Sequence, residues 1–163
     1  DLEVLLHTTG ELPVPLVDSQ LACALLGIER AMVMLMNDRP MLDALMQRCH
    51  EYTVEYAKSL SKVGADMLSG GDSPAGLIRP KLYREFVLPF EANVIEELRR
   101  ATAKTISLHI CGDTLHILPD MFQCGADVLE FLRIRRADFL ITGQDMEPID
   151  GLTLMAHQGP TTA

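Results

Sequence analysis

The chain contains no tryptophan, and only 5% of its 163 residues are aromatic. The bulk of a buried core must therefore come from leucine, isoleucine, valine and nine methionines. Such a composition is more typical of a helix-rich α/β interior than of a β-sandwich. Because 48% of the residues are hydrophobic, a sizeable core can form, and the composition argues against global disorder.

The sequence also lacks a long hydrophobic run and an excess of basic residues. Its longest apolar stretch, Leu21 to Ile28, is eight residues long and too short to cross a bilayer, and no basic-then-apolar leader opens the sequence. Fourteen basic and 23 acidic side chains give a formal net charge of -9, which opposes attraction to nucleic acid and to anionic membranes. We therefore expect a cytoplasmic protein that binds neither nucleic acid nor membranes.

The four cysteines show no tight paired spacing, which disfavours a secreted disulfide framework. They are Cys23, Cys49, Cys111 and Cys124. This pattern favours reduced thiols or a metal site.

Hydrophobic periodicity and capping signals predict strands that alternate with helices. Proline and glycine punctuate the pattern: Pro40 lies in the first turn of the longest helix, Gly64 ends that helix, and Pro89 is predicted to kink the next one. The predicted strands cover residues 13–17, 65–69, 105–110, 126–130 and 137–142, and the predicted helices cover residues 18–27, 29–36, 39–63, 80–100 and 114–123.

An internal repeat supports this alternation, because the segment Gly64-Ala65-Asp66-Met67-Leu68 returns as Gly125-Ala126-Asp127-Val128-Leu129. Each copy lies where a helix ends and a strand begins. Such a pattern requires parallel strands, as in doubly wound sheets and (β/α)8 barrels. We favour a partial (β/α)8 TIM barrel that forms a single incomplete domain over residues 1–163. Residues 131–163 are expected to be an irregular or rearranged tail, since 131–136 are too few for a crossover helix and no periodic segment follows Gly143.

His109 and Cys111 are the strongest candidates for a functional site. They lie two residues apart at the end of a predicted strand, so their side chains share one face. Imidazole nitrogen and thiolate sulfur are preferred zinc ligands. The alternative is structural, with a hydrogen-bonded core histidine and a small buried cysteine.

A catalytic zinc site normally has three protein ligands, so a further group is needed. Asp72 follows the neighbouring predicted strand and is a candidate ligand, ligand orienter or substrate contact, although it could equally be a plain turn aspartate. His116 is a weaker candidate in the next helix. We interpret His7, His50 and His157 as surface or helix-face residues, because they have no partner at ligand spacing.

Together, several of these motifs resemble the uroporphyrinogen decarboxylase superfamily over residues 13–130, the family-like core. The motifs are Gly64-Ala65-Asp66, the Gly71-Asp72 turn, the Y-R-E-F-V-L-P segment of residues 83–89, and H-I-C-G-D-T at residues 109–114. The H-x-C-G turn resembles the branch of zinc-dependent methylcobamide:thiol methyltransferases more than the decarboxylases proper.

The resemblance implies a function and a ligand set. It implies that His109 and Cys111 bind zinc, that Asp72 is the acidic position at a strand end, and that a second ligand cysteine belongs downstream of Ala163. It also implies a corrinoid protein as partner, which carries the methyl-corrinoid, and a small thiol such as coenzyme M as substrate.

Two other functions remain open at this point. One is metal-free decarboxylation of a tetrapyrrole, as the family name implies. The other is a non-catalytic fragment or a binding module for a corrinoid partner. In a partial barrel the exposed sheet edges favour pairing with another chain, so we also expect a homo-oligomer as one outcome.

Overall fold

The computed structural model describes the backbone of residues 11–13, 18–132, 135–136, 139–140 and 153–157, and the side chains of residues 18–130. Three helices come first: α1 (Asp18–Leu26), α2 (Ile28–Asn37) and α3 (Arg39–Ser61). Gly27, at φ 84°, lies between α1 and α2, whose axes are bent by 109°. Pro40 lies in the first turn of α3, where its missing N–H has no helical partner to lose. These three helical predictions are confirmed within one to three residues at their ends.

Five parallel strands form one sheet in the order in which they occur along the chain. They are β1 (Glu11–Pro13), β2 (Met67–Gly71), β3 (Thr105–Ile110), β4 (Val128–Leu132) and β7 (Thr153–His157). Each strand pairs in parallel with the next, so the strand order never reverses. A doubly wound sheet contains such a reversal, whereas a barrel adds its strands in sequence. The topology therefore agrees with the barrel prediction.

The last part of the sheet differs from the prediction. Strand β6 (Phe139–Leu140) lies within the predicted strand over residues 137–142, whose other residues are outside the described ones, and it pairs antiparallel with β5 (Arg135–Arg136) in a separate two-stranded sheet, which needs only a short connection. The parallel neighbour of β4 is β7, in a region where the sequence predicts no element. Residues 14–17 of the first predicted strand lie outside the described residues.

Helices and loops connect the strands. A 3₁₀ helix (Ser73–Leu77) follows β2, and a helical stretch then comprises α4 (Pro80–Leu82), a π-helical turn (Tyr83–Val87) and α5 (Leu88–Thr102). Only α6 (Leu118–Met121) lies between β3 and β4, so the helix predicted over 114–123 is much shorter than expected. Strand β2 begins two residues later than predicted, and β4 does so as well.

The hydrophobic core lies between one face of the sheet and helices α3 and α5. Alternate residues of the three central strands are buried there: Leu68, Ile106, Leu108, Ile110 and Leu129. On α3 the buried face includes the polar residues His50 and Thr53, whereas Tyr52 is 55% exposed.

Within the described residues, no single helix has both the length and the apolar character needed to cross a membrane. The bent pair of α1 and α2 meets the two criteria only when the two helices are counted together.

Candidate metal centre

The carboxyl end of β3 brings His109 and Cys111 together. Nε2 of His109 lies 2.8 Å from Sγ of Cys111. Cys111 is exposed, and the side chain of His109 is 28% exposed. Gly112 then reverses the chain with φ 91°, a conformation that favours glycine. The strand therefore presents two soft donors at an accessible position.

Glu130 lies behind the imidazole of His109. The two residues are register partners on β3 and β4, and Oε2 of Glu130 is 3.8 Å from Nδ1 of His109. The other carboxylate oxygen accepts a hydrogen bond from the hydroxyl of Ser107. A carboxylate on Nδ1 leaves Nε2 for a metal and fixes the orientation of the ring. Glu130 carries no signal in the sequence beyond its position directly after the repeated segment Gly125–Leu129.

The donors fit zinc as two of three protein ligands. Around a tetrahedral zinc ion the nitrogen and sulfur would lie about 3.5 Å apart, so the exposed Cys111 side chain would have to turn outward by less than an ångström. No group of three or more histidine, cysteine, aspartate or glutamate side chains suited to a metal occurs among the described residues. The residues present thus supply part of a site.

Asp72 follows β2, but its carboxylate points into the helical layer. It is fully buried, and Oδ2 accepts a hydrogen bond from the hydroxyl of Ser19 on α1. Its backbone N–H donates to the carbonyl oxygen of His109 at 2.8 Å. The structure therefore joins Asp72 to His109 through the main chain, while the carboxylate lies away from the candidate ligands.

A second buried carboxyl, Glu91 of α5, hydrogen bonds with Asp72 and also accepts a hydrogen bond from the hydroxyl of Tyr83. Burial raises the pKa of Glu91 well above its usual value, and the charge of Asp72 raises it further. Burial likewise raises the pKa of Asp72. One oxygen of each carboxyl lacks any other partner, namely Oδ1 of Asp72 and Oε1 of Glu91.

The remaining candidates have other partners. Nε2 of His116 lies 2.9 Å from the carbonyl oxygen of Ile78, which ties the turn after β3 to the loop after β2.

Burial raises the pKa of Cys23 and of Cys49 to about 11, and that of Cys124 to about 12. All four cysteines are free, and Cys111 is the exposed one.

Of the interpretation of His50 as a surface or helix-face residue, the helix position is confirmed and the surface position is wrong. This side chain of α3 is buried, with Nδ1 3.0 Å from Asp18 of α1 and Nε2 2.9 Å from Glu97 of α5. Hydrogen bonds to these two carboxylates outweigh burial and raise the pKa of His50 to about 9. The imidazolium joins three helices, which a single-residue signal in the sequence could not reveal.

An apolar cavity lies between α1, α2, α3 and the 3₁₀ helix. Its lining includes Cys23, Met32, Leu35, Met46 and Phe86, and neither His109 nor Cys111 contributes to it. Because the lining offers almost no polar group to orient a substrate, the cavity is a packing feature of the helical layer.

Comparison with known proteins gives one family. A sequence model of the uroporphyrinogen decarboxylase (URO-D) family matches residues 19–137. The methylcobamide:CoM methyltransferase MtbA of Methanosarcina mazei is 28% identical over 97 residues, which are 58% of this chain and 28% of the relative. A methylated-thiol--coenzyme M methyltransferase of the same organism is 34% identical over 131 residues, 75% of this chain and 34% of the relative. A uroporphyrinogen decarboxylase of Thermus thermophilus is 30% identical over 100 residues, 61% of this chain and 29% of the relative.

A solved structure described as a methyltransferase from Methanosarcina mazei superimposes with a TM-score of 0.68 at 21% identity. The match covers 78% of this chain and 39% of that chain. It confirms the predicted fold class, a partial (β/α)8 barrel of parallel strands alternating with helices. The chain spans only 28% to 34% of the length of these curated relatives.

Proposed function

The chain belongs to the URO-D family, as its motifs predicted, and on that premise we propose that it takes part in zinc-dependent transfer of a methyl group from a methyl-corrinoid protein to a thiol such as coenzyme M. The observation that carries the proposal is the contact of 2.8 Å between Nε2 of His109 and Sγ of Cys111 at an accessible strand end. Metal-free decarboxylation, which relies on arginine clamps and a general acid, does not require a histidine–cysteine pair. Two of the relatives, both named as coenzyme M methyltransferases, support the same choice.

Each residue of the centre has a distinct task in this proposal. His109 and Cys111 would hold the ion through Nε2 and Sγ. A zinc ion bound there would lower the pKa of the acceptor thiol, so that the thiol is a thiolate near neutral pH. The carboxylate of Glu130, 3.8 Å from Nδ1 of His109, would favour a proton on Nδ1 and so leave the lone pair of Nε2 for the ion. A third protein ligand would come from outside the described residues.

The transfer itself moves one methyl group between two partners. The acceptor thiol loses its proton, and its sulfur forms a new bond to the methyl carbon. The carbon–cobalt bond breaks, and both of its electrons remain on the corrinoid. The open face of the barrel end, where Cys111 is exposed, gives the corrinoid protein its approach.

Zinc binding is the first test. We expect His109→Ala and Cys111→Ser each to weaken zinc binding by about tenfold or more in competition with a chelating dye. The matched control is Cys23→Ser, which removes a partly buried thiol that is not paired with His109. Zinc affinity that is the same in all three variants as in the unsubstituted protein would refute the proposed site.

The reaction gives the second test. Methylcobalamin and coenzyme M are incubated with the zinc-loaded protein, and loss of the methylcobalamin absorption is followed. Incubation with uroporphyrinogen tests the other function of the family. Release of carbon dioxide without added metal, with no methyl transfer, would replace the present proposal by decarboxylation.

A further inference from the structure

We propose that the loop after β2, residues 72–78, is a template that positions His109 and Cys111, with Asp72 and Gly76 as its positioning residues. We call this segment the β2 loop. The inference rests on the function proposed above, since the spacing of His109 and Cys111 matters most if they share a metal ion.

Gly76 brings the β2 loop into direct contact with the turn that carries Cys111. A Cβ atom at Gly76 would lie only 2.8 Å from the carbonyl oxygen of Cys111 and 3.5 Å from Cγ2 of Ile110. The atom at 2.8 Å belongs to the main chain and cannot turn away as a flexible side chain can. Any larger residue at Gly76 therefore has to move the loop or the Cys111 turn.

Two hydrogen bonds hold the same loop to the chain on either side of this contact. The N–H of Asp72 donates to the carbonyl oxygen of His109 at 2.8 Å. At the other end of the loop, Nε2 of His116 lies 2.9 Å from the carbonyl oxygen of Ile78. The β2 loop thus contacts His109, Cys111 and the turn that follows them.

The loop can serve as a template because its own start is fixed to the helices. The buried carboxylate of Asp72 accepts from the Ser19 hydroxyl and hydrogen bonds with Glu91. The N–H of Ser73 donates to Oε1 of Gln20 at 3.0 Å. These contacts tie the loop to α1 and α5, and the loop in turn fixes the end of β3. A metal ligand held by rigid surroundings binds more tightly than one that must be ordered on binding.

The first experiment compares Gly76→Ala with Gly64→Ala. At Gly64, after α3, the backbone has φ 90° and an added Cβ meets nothing within 4 Å, so an alanine there strains the chain without touching the β2 loop, and this substitution is the matched control. The readout is protection of Cys111 from iodoacetamide by increasing Zn²⁺, followed by mass spectrometry. Cys111 is the exposed thiol, and burial raises the pKa of the other three, so they react more slowly.

We expect Gly76→Ala to raise the zinc concentration for half protection by about tenfold or more, and Gly64→Ala to change it by less than about threefold. Thermal unfolding of each variant, followed by circular dichroism, separates this effect from a general loss of stability. Equal protection in Gly76→Ala and Gly64→Ala would overturn the role of Gly76.

The second experiment compares Asp72→Asn with Asp72→Ala. An asparagine can accept from Ser19 and donate its amide N–H to Glu91, so it rebuilds the anchor without a second carboxyl. We expect the zinc concentration for half protection of Cys111 in Asp72→Asn to stay within about threefold of that in the unsubstituted protein. In Asp72→Ala it should rise by about tenfold or more. If Asp72→Asn weakens the zinc protection of Cys111 as much as Asp72→Ala does, the carboxylate itself is required, and the positioning role of Asp72 is overturned.

The two proposals fail in different ways. If zinc protects Cys111 equally in the protein and in its variants, the zinc site stands and the template is refuted. If zinc gives no protection at all, the proposed function fails, and the template is then judged in metal-free protein by the NMR shifts of the His109 ring. Those shifts should change in Gly76→Ala and stay constant in Gly64→Ala, and the reverse result refutes the template.

Discussion

His50 shows how one buried side chain can stabilise a whole layer of helices. Its imidazolium lies between Asp18, which is fully buried, and Glu97, whose side chain is 46% exposed. Removing one member of such a group leaves a buried charge without its counterion, which costs more than the group contributes intact. His50 therefore holds α1, α3 and α5 together through its two carboxylate contacts.

The contacts of His50 make the free energy of unfolding depend on pH. The pKa of His50 is raised from 6.5 to about 9, so the folded protein holds the proton more tightly than the unfolded chain. The resulting stabilisation is fully present below about pH 6.5 and is lost as the pH rises through about 9. Burial also raises the pKa of Asp18 despite its contact with His50, and the desolvation of that carboxylate offsets part of the gain. We expect a net loss of about 2 kcal/mol in the free energy of unfolding.

Urea unfolding between about pH 6 and about pH 10 measures this loss. The control is His50→Gln, which keeps a polar side chain of similar length but cannot titrate. Its stability should be lower near neutral pH and should vary less over the alkaline range. A pH dependence that is identical in the two proteins would contradict the role given to His50.

Glu130 provides a second test at the scale of one residue. In Glu130→Gln the charge opposite Nδ1 of His109 is lost while the size of the side chain is kept. We expect zinc affinity to fall by about tenfold. The matched control is Glu96→Gln on the exposed face of α5, which should leave zinc affinity unchanged. Competition with a chelating dye measures both, and an unchanged affinity in Glu130→Gln would remove this residue from the centre.

At the scale of elements, the helical stretch from Pro80 to Thr102 shows how a buried helix accommodates a proline. Pro89 has no N–H, so the carbonyl oxygen of Glu85 loses its helical donor. The chain forms a π-helical turn over Tyr83–Val87 just before this point. Arg39, from the start of α3, donates from Nη2 to the Glu85 oxygen at 3.0 Å and places its guanidinium 4.6 Å from the ring centroid of Phe86. A π-helical turn with an external donor therefore precedes Pro89, the residue at which the sequence predicts a kink.

A double-mutant cycle tests this arrangement. Arg39→Ala should destabilise the protein by about 1 kcal/mol because a carbonyl oxygen loses its donor. In the Pro89→Ala background the new N–H can reach the Glu85 oxygen, so the same substitution should cost less. A coupling energy of at least about 0.5 kcal/mol from urea unfolding is the expected result. Strictly additive effects would show that Arg39 does not substitute for the missing helical donor.

At the scale of the whole molecule, the described part of the sheet is an open parallel sheet. Its strands follow the order of the chain, and β1 and β7 each pair on one side only within the described strands. Unpaired parallel edges offer N–H and carbonyl groups to another chain. An open sector of a barrel is therefore prone to pair with further strands.

Sedimentation velocity tests this consequence. Over roughly a hundredfold range of protein concentration we expect the weight-average mass to increase, since edge pairing is a mass-action equilibrium. Hydrogen exchange at the highest concentration should also protect the amides of residues 11–13 and 153–157 beyond their protection in dilute solution. A constant monomeric mass would contradict this prediction.

The sequence allowed much of the fold to be predicted. Capping and proline signals placed α1, α2 and α3, and the repeated G-A-D segment placed the approach to β2 and β4. Errors arose where tertiary contacts decide the outcome: the short α6, the hairpin of β5 and β6, and β7, whose pairing with β4 depends on residues far apart in the chain.

The residues of the candidate metal centre were likewise only partly predictable from the sequence. His109 and Cys111 could be predicted because residues two apart on a strand share a face, which is a local rule. Glu130 could not, since its position beside His109 depends on the register between two strands. Asp72 was selected for its place after β2, but the direction of its carboxylate depends on Ser19 and Glu91.

The sequence by itself determined the alternation of strands and helices, the acidic surface charge and the proximity of His109 to Cys111, because all of these follow from spacing along one chain or from composition. Only the tertiary structure decided which groups distant in the sequence come into contact. These contacts are Glu130 near the imidazole of His109, the β2 loop against the Cys111 turn, and His50 between two carboxylates. The physical reason is that hydrogen bonds and burial between separate elements depend on how those elements pack, and no local pattern in the chain encodes that packing.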